Sequence, residues 1–128
     1  MDKSRLCDYF IVVGAPSAPG SVLHPGEQDQ EHLHPLDRSY RAELLHRYPL
    51  KDHRDCPIPP ATPMFCFPSA LHFVRAGGDI PVPRAHYFTA TAGDADRLYG
   101  SVLVFYEPIE DGTAVELDRL YEQWLRTQ

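Results

Sequence analysis

Two stretches of this chain are apolar at odd and even positions alike: FIVV at residues 10–13, and much of RLYGSVLVFY from Arg97 to Tyr106. Successive side chains of a strand point to opposite faces, so such stretches ask for cover on both sides of a sheet. No other feature limits the fold as much. The first lies within Leu6 to Gly14 (LCDYFIVVG), which is dense in β-branched and aromatic residues and ends at a Gly-Ala-Pro turn signal; it reads as a central strand. The second follows His86 to Ala92 (HYFTATA) across a GDAD turn, so the two read as an antiparallel hairpin.

Helical cover is written most plainly at the end of the chain. In TAVELDRLYEQWLRTQ, Leu117, Leu120, Tyr121, Trp124 and Leu125 recur at the spacing of one helix face. Thr113 is placed to cap the helix with Glu116 reaching back from the third position, after a turn at Asp111 and Gly112. No glycine cap or proline stop follows Leu125, so the sequence reads as the front part of a longer protein. One evident helix for two apolar sheet faces leaves a layer incomplete, which predicts an exposed apolar patch.

Between these elements the pattern is weaker. Residues 15–39 are rich in Pro, Gly, Ser and polar side chains without hydrophobic period, and are expected to form a flexible surface insertion. Tyr40 to Tyr48 (YRAELLHRY) reads as a helix-like start running into an extended end before Pro49. Met64 to Phe67 (MFCF), bounded by Pro63 and Pro68, reads as a short strand, with a further extended piece at Leu71 to Val74. Pro49, Pro57, Pro59, Pro60, Pro63 and Pro68 fix φ and withhold backbone donors, so the connector they occupy is a stiff strap.

The chain has 128 residues, enough for one domain, and its 43% hydrophobic and 23% charged content is ordinary for a globular protein. A net charge of −6 and no basic face interleaved with aromatics argue against nucleic acid as a partner. The apolar start is too short and too interrupted by Asp8 for a signal or a spanning helix, so a cytoplasmic protein without an integral membrane segment is expected. Three cysteines without a CxxC spacing read as reduced thiols.

Three groups of residues invite a chemical reading. His32 and His34, with His24 and Glu31 nearby, have a spacing that suits metal ligands, but no third ligand stands at a defined interval. Asp52, His53, Asp55 and Cys56 crowd an acid, a base and a thiol into DHRDC, yet working triads are assembled from separate elements. Cys66, between Phe65 and Phe67, reads as a small buried hydrophobe. Gly14 and Gly20 form neither GxGxxG nor GxxxxGK[ST], and HEXXH and GxSxG are absent. No catalytic, cofactor-binding or metal-binding residue is assigned, and no cofactor is expected.

The order of the pieces is nonetheless specific: RLCDYFIVVG, then LLHRYPLKD, then PIPP, then MFCFP, then a hairpin ending SVLVFYEPI. It resembles the upstream part of a DENN module. It differs from that pattern in SALHF after MFCFP and in the RAGGDIPVPR loop that follows. The resemblance implies a longin-like α/β (α+β) lobe, with an antiparallel central sheet packed by helices and an amphipathic helix at its end. It also implies a central and a downstream DENN part in the same protein. The complete module resembles a guanine-nucleotide exchange factor for Rab small GTPases in vesicle trafficking, recruited to membranes at their surface. Exchange works by preferring the nucleotide-free GTPase, so it needs no proton-transferring residue. A longin-like scaffold or adaptor without exchange activity is the alternative.

Overall fold

The computed structural model describes residues 6–92 and 96–128. The fold is α+β. In chain order it runs β1 (Phe10–Gly14), a 3-10 turn (Pro35–Asp37), β2 (Ser39–Tyr40), β3 (Glu43–Tyr48), α1 (Thr62–Cys66), β4 (Leu71–His72), β5 (Arg84–Ala92), β6 (Asp96–Val104) and α2 (Asp111–Arg126). All described strand pairs are antiparallel: β1 with β3, β2 with β4, and β5 with β6, each pair a separate two-stranded ladder.

The hairpin forms where it was expected, and the GDAD turn falls largely outside the described residues. β1 forms too, though one face is open. Phe10 is 66% exposed, while Ile11 and Val13 are part-buried, so this strand has the alternation of a ribbon with one covered side. The 40–48 stretch contains no helix. Leu45 and Arg47 turn inward while Leu44, His46 and Tyr48 turn outward, and pairing with β1 sets this period-two pattern. Here the strand ladder overrides the helical spacing of Leu44 and Leu45.

MFCF is helical, not extended. Pro63 sits in the first turn of α1, where its missing N–H costs nothing. The Phe65 N–H donates to the Ala61 carbonyl and the Phe67 N–H to that of Pro63, after which Pro68 stops the helix. The two prolines that read as strand ends are a helix start and a helix stop.

The largest correction concerns residues 15–39. Instead of lying outside the core, this segment supplies much of it: Leu23, Pro35 and Gln30 are buried. Leu23, Tyr40 and Leu117 form the central cluster, with Ala15, Leu36, Leu71, Phe73 and Leu120 packed around it. The terminal helix therefore packs on the 15–40 stretch and the short β2–β4 ladder, not on a broad sheet. Helix α2 also begins earlier than its sequence suggests, at Asp111 after Glu110, with no side-chain cap. Thr113 and Glu116 do not form a capping box. The Thr113 hydroxyl donates to the Pro16 carbonyl at 2.8 Å, and a Glu116 carboxylate oxygen accepts the Leu23 N–H at 2.8 Å. Both polar groups satisfy buried backbone of the 15–39 segment, a demand that outranks local capping. Gly112 belongs to the same contact, because a Cβ there would collide with the carbonyl oxygens of Ser17 and Ala18.

Further contacts fix the segment. The Trp124 indole N–H donates to the His32 carbonyl at 3.1 Å, and the His34 ring lies 5.0 Å from the Trp124 ring and 5.2 Å from that of Tyr121. Gln30 accepts the Ser39 N–H at 2.8 Å through its side-chain oxygen and donates to the Ser39 carbonyl at 3.2 Å through its nitrogen.

Candidate functional site: two open sheet faces

The DHRDC stretch is a structural knot. The Tyr9 hydroxyl donates to the Cys56 carbonyl at 2.6 Å and accepts the His53 N–H at 2.8 Å. The His53 ring nitrogen Nε2 lies 2.7 Å from the Asp8 carbonyl, and the ring packs 5.0 Å from that of Tyr9. Arg47 donates to Asp52 at 2.6 Å and to the Pro49 carbonyl at 3.0 Å, and its guanidinium stands over the Tyr9 ring. Burial pushes the Tyr9 phenol above its ordinary pKa. Asp52 thus ties the turn back to β3 through Arg47, while His53 ties it to Asp8 and Tyr9 just before β1.

The other chemical readings disperse in the same way. His32 gives its carbonyl to Trp124, and the Nδ1 of His34 accepts the Leu36 N–H at 3.1 Å as a cap of the 3-10 turn. Among the described residues no group of three or more His, Cys, Asp or Glu is placed to hold a metal ion. Cys66 is buried, and that burial raises its thiol pKa, which disfavours the nucleophilic thiolate. None of the cysteines is in a disulfide.

Glu116 is a buried carboxylate that accepts three hydrogen bonds. Burial alone pushes its pKa up, but two hydrogen bonds from Arg119, at 2.6 and 3.0 Å, and one from the Leu23 N–H outweigh that and hold it below the ordinary carboxylate range. Its role is to fasten α2 to the loop.

What the fold leaves to the outside is apolar. On the β1–β3 ribbon, Phe10 stands opposite Tyr48, which is 75% exposed; Val12 and Leu44 share the open side, and Leu50 projects beyond it. On the β5–β6 ribbon, Tyr87 and Tyr99 are each 77% exposed. Tyr87 pairs with Ser101 and Tyr99 with Thr89, so the two rings sit diagonally across the ladder with small side chains between them; Leu103 and Phe105 continue the face. The opposite side of this ribbon is held by α1: the Phe65 and Phe88 rings lie 5.3 Å apart, and His86 Nε2 is 3.2 Å from the Phe65 carbonyl. Met64, Phe65, Pro68, His86, Tyr87 and Phe88 line an open depression of about 380 Å³ at that junction. The sequence predicted an uncovered apolar patch without naming its residues. Their signal was the parity of each strand, since the residues that alternate with Ile11, Leu45, His86 and Phe88 are the ones left outside.

These features define an α+β lobe whose two longer ribbons each keep one apolar face uncovered. The chain belongs to the uDENN domain family, whose model matches residues 42–105. It is similar to Elicitor of plant defense protein 1 of Verticillium dahliae, with 34% identity over 111 residues, which is 81% of this chain and 10% of that protein. It is also similar to the MAP kinase-activating death domain protein of Mus musculus, with 37% identity over 108 residues, 83% of this chain and 6% of that protein. The protein of the same name from Drosophila melanogaster is 34% identical over 110 residues, 83% of this chain and 5% of that protein. The chain therefore spans a tenth or less of each of these relatives. No solved structure matches it. No helix of the described residues is long and apolar enough to cross a membrane.

Proposed function

We propose that this chain is the N-terminal, longin-like lobe of a DENN-type guanine-nucleotide exchange factor acting on Rab small GTPases. The observation that carries the reading is the uDENN match over residues 42–105, which spans β3, α1 and the whole β5–β6 hairpin. The uncovered faces support it physically. An exchange factor acts by binding one state of its GTPase in preference to another, and this takes complementary surface, not a nucleophile or a general base. One open face would meet the remaining DENN parts of the same protein and the other would contribute to the Rab surface. The lobe would act in the cytoplasm, with the complete protein held at membranes peripherally.

The test is release of a fluorescent guanine nucleotide from a panel of purified Rab proteins by the full-length protein. Acceleration with at least one Rab is expected, and it should fall when Tyr87 and Tyr99 are both replaced by Asp. If every Rab in the panel releases nucleotide at its intrinsic rate, exchange activity is excluded for that panel and a longin-like scaffold becomes the better reading.

A further inference from the structure

β6 is nine residues long and has a strand on one side of it. Its ladder with β5 runs unbroken from Val104 opposite Arg84 to Asp96 opposite Ala92, and among the described residues no other strand pairs with it. None of the backbone hydrogen bonds described outside the ladders involves residues 97–105. In an antiparallel strand, alternate residues direct their N–H and C=O away from the partner. The outer margin of β6 is therefore a row of main-chain donors and acceptors that no described strand takes up.

The other margins are blunted. That of β2 is taken by the loop before it, through Pro25 and Gly26. β1 and β3 are five and six residues long, and their register breaks between Val12 and Val13. β5 is entered through Pro81 and Pro83, which have no N–H to give to a neighbour. Shortness, bulges, prolines and lysines are the usual guards of a strand edge. The β6 sequence, DRLYGSVLV, has no proline and no lysine.

We propose that β6 pairs edge to edge with β6 of a second copy of this chain, antiparallel about a two-fold axis at Ser101. The strand's own sequence argues for a second copy as the occupant, because this register is self-complementary. On the exposed side Ser101 meets its own mate, Tyr99 stands across from Leu103, and Arg97 stands across from the Phe105 ring. On the other side Leu98 stands across from Val104 and Gly100 from Val102. The two Arg97 side chains end up eight positions apart, about 27 Å, so no like charges face each other. A slip of one residue would reverse the faces, and moving the axis to Gly100 would set Arg97 against Leu103 instead of a ring. Each chain has one such margin, so the contact closes at two copies. It also turns a lone hairpin, marginal by itself, into a four-stranded sheet. Both open apolar faces stay accessible in this dimer, which therefore stands or falls independently of the exchange-factor reading.

The test is sedimentation equilibrium of the 128-residue chain carrying Tyr48→Lys and Leu50→Lys, which removes association through the β1–β3 face. At about 100 μM the mass should be twice the 14.5 kDa of one chain. Adding Ser101→Lys puts two like charges together on the axis and should raise the dissociation constant about tenfold or more; Ser101→Glu should do the same. An equimolar mixture of the Ser101→Lys and Ser101→Glu chains should recover pairing to within about threefold of the starting value, since opposite charges then meet on the axis. Ser101 is exposed in the single chain, so each variant should keep the far-UV circular dichroism and unfolding midpoint, which separates lost pairing from lost folding. A monomeric mass at that concentration overturns the proposal. So does a dimer unchanged by both Ser101 variants, or a mixture that fails to recover pairing, because the contact then lies elsewhere on the chain.

Discussion

Glu116 shows how much of this fold rests on single side chains. Its carboxylate is 3% exposed, accepts the Leu23 N–H and holds Arg119, so truncating it strands a buried donor. Glu116→Ala should destabilise the chain by about 2 kcal/mol, read from urea unfolding at neutral pH. Its depressed pKa fixes the pH dependence: the stabilisation is present above the ordinary carboxylate value of about 4.3 and is lost as pH falls through the lower folded value. The difference in melting temperature between the parent and Glu116→Gln should therefore be largest near neutrality and shrink below about pH 4. Tyr9 is the corresponding residue of the knot. Tyr9→Phe removes a donor to Cys56 and an acceptor for His53, and a loss of about 1–2 kcal/mol is expected in the same assay.

At the level of elements, α2 gives the sharpest test of what holds it. Helix propensity alone would make Gly112→Ala a gain of about 1 kcal/mol. Collision with the Ser17 and Ala18 carbonyls makes it a loss of about 1–3 kcal/mol instead, so the sign of the change in denaturation midpoint decides between the two. Trp124 carries less than its size suggests. A tryptophan fully buried against a sheet would cost about 3–5 kcal/mol on truncation; this one is part-exposed against His34 and the His32 carbonyl, and about 2 kcal/mol is expected for Trp124→Ala. The presence of α2 and its apolar face, the hairpin and an open apolar patch were legible because they depend on local period; the first residues of α2 were not. The partner of α2 was not legible. Leu23 and Leu36 are isolated apolar residues in a polar, proline-rich stretch, and nothing in their spacing signals that a helix some ninety residues later will bury them. MFCF failed for a different reason, since Pro at a helix start and Pro beside a strand leave the same mark in a short sequence. The site followed the same logic: parity showed that an apolar face existed, while the side left uncovered depended on the packing of α1.

For the whole molecule, the core and the open faces lie on different elements. The core joins α2 to the 15–40 stretch, while the β1–β3 and β5–β6 ribbons keep one side apolar and exposed. A chain of this kind in isolation should self-associate, because contiguous exposed apolar faces are rarely stable as free surface. Light scattering after size exclusion should show an apparent mass above that of a monomer, and Tyr48→Lys with Leu50→Lys should lower it while changing stability by no more than about 0.5 kcal/mol. One edge is different from the rest. At Ser39 the side-chain amide of Gln30 offers an oxygen to the N–H and a nitrogen to the carbonyl, the two groups a neighbouring strand would bring. Gln30 is in effect a counterfeit peptide unit, a strand one residue long borrowed from a loop. The Gly26 N–H donates to the same Ser39 carbonyl and Pro25 bridges to Tyr40, so the loop closes this margin of β2 with its own backbone as well as with that borrowed side chain.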